Sequence, residues 1–196
     1  MKIIEISGQP CAGKSTLVTS LYTFNNLDFI YNPGFTRKLI NFFKGIKYLG
    51  FNRLHTIFIW SLDENASIFF RLNIFRNAVT KFGVFQNLSS LKHSINCQIF
   101  IDEGISHLPF LFPNQQSLEV INFISPELQE IIVWFIESPE EDLLKERLLE
   151  RGHKRLRFLS ISNFLKKNMI IENIILKHYS NLCLDFVTSG NAKDFL

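Results

Sequence analysis

Apolar positions along the chain gather into short runs, at residues 2–7, 27–31, 97–102, 131–137 and 183–188. Three of these runs are nearly unbroken in Ile, Val and Phe, the pattern of strands covered on both faces. The stretches between them are long enough for crossover helices. Together they predict an α/β fold with a parallel sheet and helices on both sides.

Helical spacing is clearest after the fourth run. Ser138 is expected as N-cap and Pro139 as the first helical residue, with Glu140, Glu141 and Asp142 in the first turn. Arg147 and Arg151 lie toward the end of this helix and Gly152 stops it. Leu144 and Leu148, with Leu143 and Leu149 beside them, form its expected buried stripe. A second helix is predicted over residues 162–179, where Phe164, Leu165, Ile171, Ile174, Ile175 and Tyr179 recur at helical spacing. Residues 35–93 read as mostly helical, with breaks near Gly45, Gly50 and Gly83.

Composition narrows the class. The 196 residues fit a single domain of residues 1–196, and 46% apolar with 20% charged residues is ordinary for a soluble globular protein. The 21 phenylalanines suit a Phe-rich core better than a greasy partner surface. A net charge of +3 accommodates anionic small molecules and does not argue for nucleic acid as a partner. Cys11, Cys97 and Cys183 show neither paired nor metal-ligand spacing and read as reduced thiols. The first residues are too soon interrupted for a signal sequence, and no apolar run approaches the roughly 18 residues that span a bilayer. A cytoplasmic protein without membrane contact is expected.

The segment Gly8, Gln9, Pro10, Cys11, Ala12, Gly13, Lys14, Ser15 fits G-x-x-x-x-G-K-[ST], the Walker A pattern, and Thr16 follows it. It lies directly after an apolar strand and opens a helix with Leu17, Val18 and Leu21 on one face. Such a loop wraps phosphate oxygens with successive backbone N–H groups, and the helix N-terminus adds favourable charge. Lys14, expected to be exposed without ligand, would reach the β and γ phosphates of ATP or another nucleoside triphosphate. The Ser15 hydroxyl would ligate Mg2+.

The third run ends in Asp102 and Glu103. In a P-loop sheet this strand normally lies beside the first, so Asp102 is expected to face the magnesium. Glu103 is either a general base or a supporting and capping residue. His107 reads more readily as a packing group than as a catalytic one. Arg147, Arg151, Arg155 and Arg157 cluster around Gly152, a mobile lid of about residues 147–159. Phosphoryl transfer needs positive charge that arrives as the site closes, a reading favoured here over a solvated basic surface or a nucleic-acid patch.

With these pieces placed, the chain resembles the nucleoside and nucleotide kinases of the P-loop class, nearest in layout to thymidylate and other nucleoside monophosphate kinases. The likeness is carried by the GQPCAGKST loop, the turn YNPGFTR at residues 31–37, the strand IFIDEG and the segment FIESPEEDLLKERLLERG. It implies a three-layer P-loop NTPase fold, a five-stranded parallel sheet in the order 2-3-1-4-5, and an adenine site at residues 188–192. It also places Arg37 on the acceptor's anionic group and Arg147, Arg151 and Arg155 around the transferred phosphoryl. The sequence departs from the family where Cys11 replaces a usual glycine and Asn32 a carboxylate base. Asn32 disfavours a plain deoxynucleoside kinase unless Glu103 has taken over the proton. Glu103 also stands where thymidylate kinases carry an arginine.

The expected function is ATP- and magnesium-dependent phosphorylation of a small-molecule acceptor, a nucleotide, a nucleoside or another metabolite. The alternative is a P-loop NTPase whose hydrolysis drives a partner. A homodimer is compatible with either.

Overall fold

The computed structural model describes residues 2–24, 34–64, 66–91, 98–152, 156 and 160–189. Strands β1 (Lys2–Ser7), β2 (Gln98–Asp102), β3 (Ile132–Ile136) and β4 (Asp185–Ser189) form a parallel sheet in the order β2-β1-β3-β4. The predicted run at residues 27–31 lies outside the described residues. The other four stand in the relative order expected of them.

Strand alternation divides the core. Ile3, Ile99, Ile101, Val133 and Phe135 face a large cluster with Phe82, Val120, Ile124, Ile171 and Ile175. Ile4, Ile6, Phe100, Ile132 and Ile136 face the other way, onto Ala12 and Leu17. Both faces are therefore covered, as unbroken apolar strands require. Helix α1 (Lys14–Phe24) covers the second face. Helices α2 (Phe35–Leu62), α3 (Ile68–Leu91), α4 (Leu108–Leu111), α5 (Ser117–Leu128) and α7 (Ile161–Tyr179) build on the first.

Helices α2 and α3 pack along each other, and their glycines explain how closely. A Cβ on Gly83 would lie 1.7 Å from the Asn41 carbonyl oxygen, and one on Gly45 would lie 2.0 Å from that of Val79. Gly45 and Gly83 are thus contact points rather than the expected breaks. Gly50 does interrupt the helical path, at φ 65°. The break between the two helices falls after Leu62. Arg53 ties α2 to α5, with its guanidinium 2.6 Å from the buried Glu127 carboxylate and 4.6 Å from the Phe123 ring centre.

Helix α6 (Glu141–Arg151) begins later than expected. Ser138 does not cap it, because its hydroxyl donates to the Glu172 carboxylate 2.6 Å away. Gly152 ends the helix at φ 57°, the left-handed C-terminal residue anticipated. Leu144 and Leu148 are buried, but Leu143 and Leu149 are exposed and fall outside the stripe. Ser160 caps α7 by accepting from the Asn163 amide. No helix among the described residues is long and apolar enough to cross a membrane.

Candidate functional site

The parallel register brings the carboxyl ends of β1, β2 and β3 to one edge, the usual binding edge of an open α/β sheet. The loop from Gly8 to Lys14 leaves β1 there. Gly8 sits at φ 144°, and a Cβ on it would lie 2.5 Å from the Ile136 carbonyl oxygen, so only glycine passes β3. Gly13 holds φ 110° and Cys11 φ 67°. Cys11 keeps a left-handed backbone that glycine adopts more readily, and its side chain packs with Leu144, Leu148, Phe164 and Leu165. Burial raises its thiol above the ordinary range, although the charges of Arg151 and Lys14 oppose this, so it is a neutral packing group.

Lys14 is only 5% exposed, against expectation. Its ammonium donates to the carbonyls of Gly8, at 2.9 Å, and Gln9, at 2.7 Å, and lies 3.2 Å from Glu103 Oε1. Ser15 and Thr16 are exposed at the start of α1. Behind the loop, Gln9 Nε2 donates to Glu172 Oε2 at 2.7 Å. The same carboxylate accepts the Ser138 amide at 2.8 Å, so α7 braces both the loop and the end of β3.

At the end of β2, Glu103 takes φ 55°. Its amide donates to the Ile6 carbonyl at 3.1 Å and its carboxylate lies 3.6 Å from His107 Nε2. Lys81 of α3 donates to its carbonyl oxygen. Burial alone would raise the Glu103 carboxyl, but His107, Lys14 and Lys81 outweigh it and hold the group well below the usual carboxylate range. Asp102 is shifted the other way, first by burial and then by the charge of Glu103. Glu5 rises from β1 beneath this turn. Its oxygens accept the amides of Ile105 at 3.0 Å and Ser106 at 2.7 Å, and a Cβ on Gly104 would lie 2.0 Å from Glu5 Oε1.

Two cavities meet here. The smaller, about 190 Å³, is lined by Cys11, Gly13, Lys14, Ser15, Glu103 and Arg151, with Pro10 at its edge. The larger, about 760 Å³, opens between α2, α3 and the turn after β2, with Phe42, Asn77, Thr80, Lys81, Asp102 and His107 on its wall. Among the described residues, Glu103 alone lines both.

No family model and no curated protein matches this chain. Its fold does match solved structures of deoxyadenosine kinase from M. mycoides. The one with products dCMP and a flexible dCDP bound aligns over 97% of this chain and 90% of that chain, with a TM-score of 0.51 at 14% identity. The one with bound dATP aligns over 97% and 91%, with a TM-score of 0.50, also at 14% identity. The fold resembles that of a deoxynucleoside kinase. These neighbours fall among the nucleoside and nucleotide kinases that the sequence resembles, although the nearest layout expected was that of thymidylate and other nucleoside monophosphate kinases.

Within this deoxynucleoside-kinase-like fold the expected residues are partly gathered. Arg151 lines the smaller cavity, and Arg147 Nη1 donates to the Cys11 carbonyl at 3.4 Å. Arg37 is exposed in the first turn of α2, while its neighbours Phe35 and Lys38 line the larger cavity. Arg155, Asn32, most of residues 153–159 and the loop from residue 190 lie outside the described residues. Sequence reasoning missed Glu5, Lys81 and Glu172. Only Glu5 left a signal, as a carboxylate in the middle of an apolar strand.

Proposed function

We propose that the chain is an ATP- and magnesium-dependent phosphotransferase whose acceptor is a nucleoside hydroxyl bound in the larger cavity. The position of Glu103 on both cavities carries this reading, because a base for phosphoryl transfer must reach the acceptor on one side and face the phosphates on the other. A volume of about 760 Å³ lies within the range of small-molecule sites. The deoxynucleotides in the neighbouring structures favour a nucleoside over other hydroxyl compounds.

The donor set of the smaller cavity suits a triphosphate. Backbone amides from Gly8 to Thr16 would cradle it, and Lys14 would exchange its carbonyl partners for phosphate oxygens. Arg147, Arg151 and Arg155 would neutralise charge on the transferred group, whereas Arg37 would have an anionic group to meet only on a nucleotide acceptor. No cluster of three acidic, His or Cys side chains able to hold a metal occurs among the described residues. That suits magnesium, which takes one or two protein oxygens and completes its shell from phosphate and water. Ser15, at the start of α1, and Asp102, at the end of β2, would supply those oxygens. Bound there, the ion would neutralise the phosphates.

In the reaction the acceptor oxygen forms a bond to the γ phosphorus as the bond to the bridging oxygen breaks. The hydroxyl proton passes to Glu103 and ADP leaves. As Lys14 moves toward the phosphates, Glu103 loses its nearest cation and becomes a better base.

Incubation with γ-labelled ATP, magnesium and a panel of nucleosides should move label onto a nucleoside. Glu103→Gln should slow that transfer by roughly two to four orders of magnitude. Release of free phosphate alone, unstimulated by any nucleoside, would instead establish the partner-driving hydrolase.

A further inference from the structure

We propose that Lys81 is a positioning residue that clamps the Glu103 turn and ties the acceptor-side helix α3 to the carboxylate facing the phosphates. The proposal rests on the reading of Glu103 as the base. A non-glycine residue at φ 55° keeps that conformation only where its surroundings hold it. Here β1 holds the Glu103 amide through the Ile6 carbonyl, and Lys81 holds the Glu103 carbonyl. The next residue, Gly104, is fixed over Glu5. Lys81 is thus the grip on this turn that comes from the acceptor side.

Its place on α3 makes the grip functional. Asn77 and Val84, four residues before it and three after, line the larger cavity with it, so Lys81 lies on the helix face that an acceptor would touch. The groups around Glu103 are Lys14 from α1, Lys81 from α3, Asp102 on its own strand, Glu5 from β1, His107 and Arg151. Lys14 contacts the carboxylate itself and would leave it for phosphate. Lys81 holds the backbone carbonyl and would stay, keeping the Glu103 turn in place as Lys14 departs.

The test compares wild type with Lys81→Met and Lys81→Arg. Methionine should lower kcat roughly tenfold or more while the KM for ATP stays within about threefold, because the phosphate cradle is untouched. Arginine should restore most of the lost kcat. Amide exchange over residues 102–107 should quicken roughly tenfold in the methionine variant and not elsewhere in the sheet. Should methionine impair folding, Lys81→Leu carries the same comparison, again with no donor for the Glu103 carbonyl. Wild-type kcat and exchange in the substituted protein would overturn the proposal. If wild type transfers phosphate to no acceptor, the functional reading falls by itself. Exchange over residues 102–107 then judges the clamp, and an unchanged rate overturns it.

Discussion

At Cys11 the backbone takes a conformation that glycine adopts at lower cost, yet the thiol is buried against Leu144 and Phe164. A residue in the phosphate loop can therefore serve the core as well as the ligand, which its spacing in the motif does not reveal. Glu5 makes the same point more sharply. It holds two buried amides, so Glu5→Ala should cost about 2 kcal/mol or more in urea unfolding, through the orphaned donors of Ile105 and Ser106. An unchanged midpoint would show that water replaces the carboxylate. Glu103 gives a pH dependence of definite sign. Its folded-state pKa lies below the unfolded value of about 4.3, so its contribution is present above that pH and is lost as pH falls toward the folded value. The stability difference between wild type and Glu103→Gln should accordingly shrink between pH 6 and about pH 3, and a constant difference would count against the ion pairs with Lys14 and His107. The turn from Gly8 to Lys14 between β1 and α1 was legible because the residues that shape it are neighbours in sequence. Glu5 and Glu172 were not, since their partners lie about 100 and 163 positions away.

At the scale of elements, the four described strands were read to within about two residues because their centres are mostly apolar. Helix α5 was missed, since Pro126 lies within it and serine and asparagine dilute its apolar face. Gly45 and Gly83 were misread for a physical reason: a missing Cβ marks either a bend or a close approach, and sequence alone does not say which. The two cases separate by mutation. Gly83→Ala should destabilise the protein by about 3 kcal/mol or more, because its Cβ would meet the Asn41 carbonyl oxygen at 1.7 Å with helix backbone on both sides. Gly50→Ala meets nothing within 4 Å and should cost about 1 to 3 kcal/mol, all of it for a backbone at φ 65° and ψ 178° that glycine almost alone adopts. Equal costs in thermal unfolding would mean that α2 and α3 separate easily.

For the whole molecule, the relative order of the four described strands was legible from the position of the phosphate loop and the acidic strand end. The larger cavity was not, because its wall joins α2, α3 and the turn after β2, and only the folded chain sets them side by side. Ligand binding to so divided a site should show as separate increments of stability. ATP with magnesium at about 100 times its Kd should add about 2.7 kcal/mol, or roughly 5 to 10 °C in Tm for a chain of this size. A nucleoside should add its own shift, and Lys14→Ala should lose the first while keeping the second; no shift with ATP would remove the loop from nucleotide binding. The Gln9–Glu172 hydrogen bond has a consequence for the chain as it is made. During synthesis the phosphate loop leaves the ribosome 163 residues before the carboxylate that braces it. At about 5 to 20 residues per second that is a delay of roughly 8 to 33 s. The loop stays unbraced for that interval, so Gln9 finds its buried partner only once α7 has emerged.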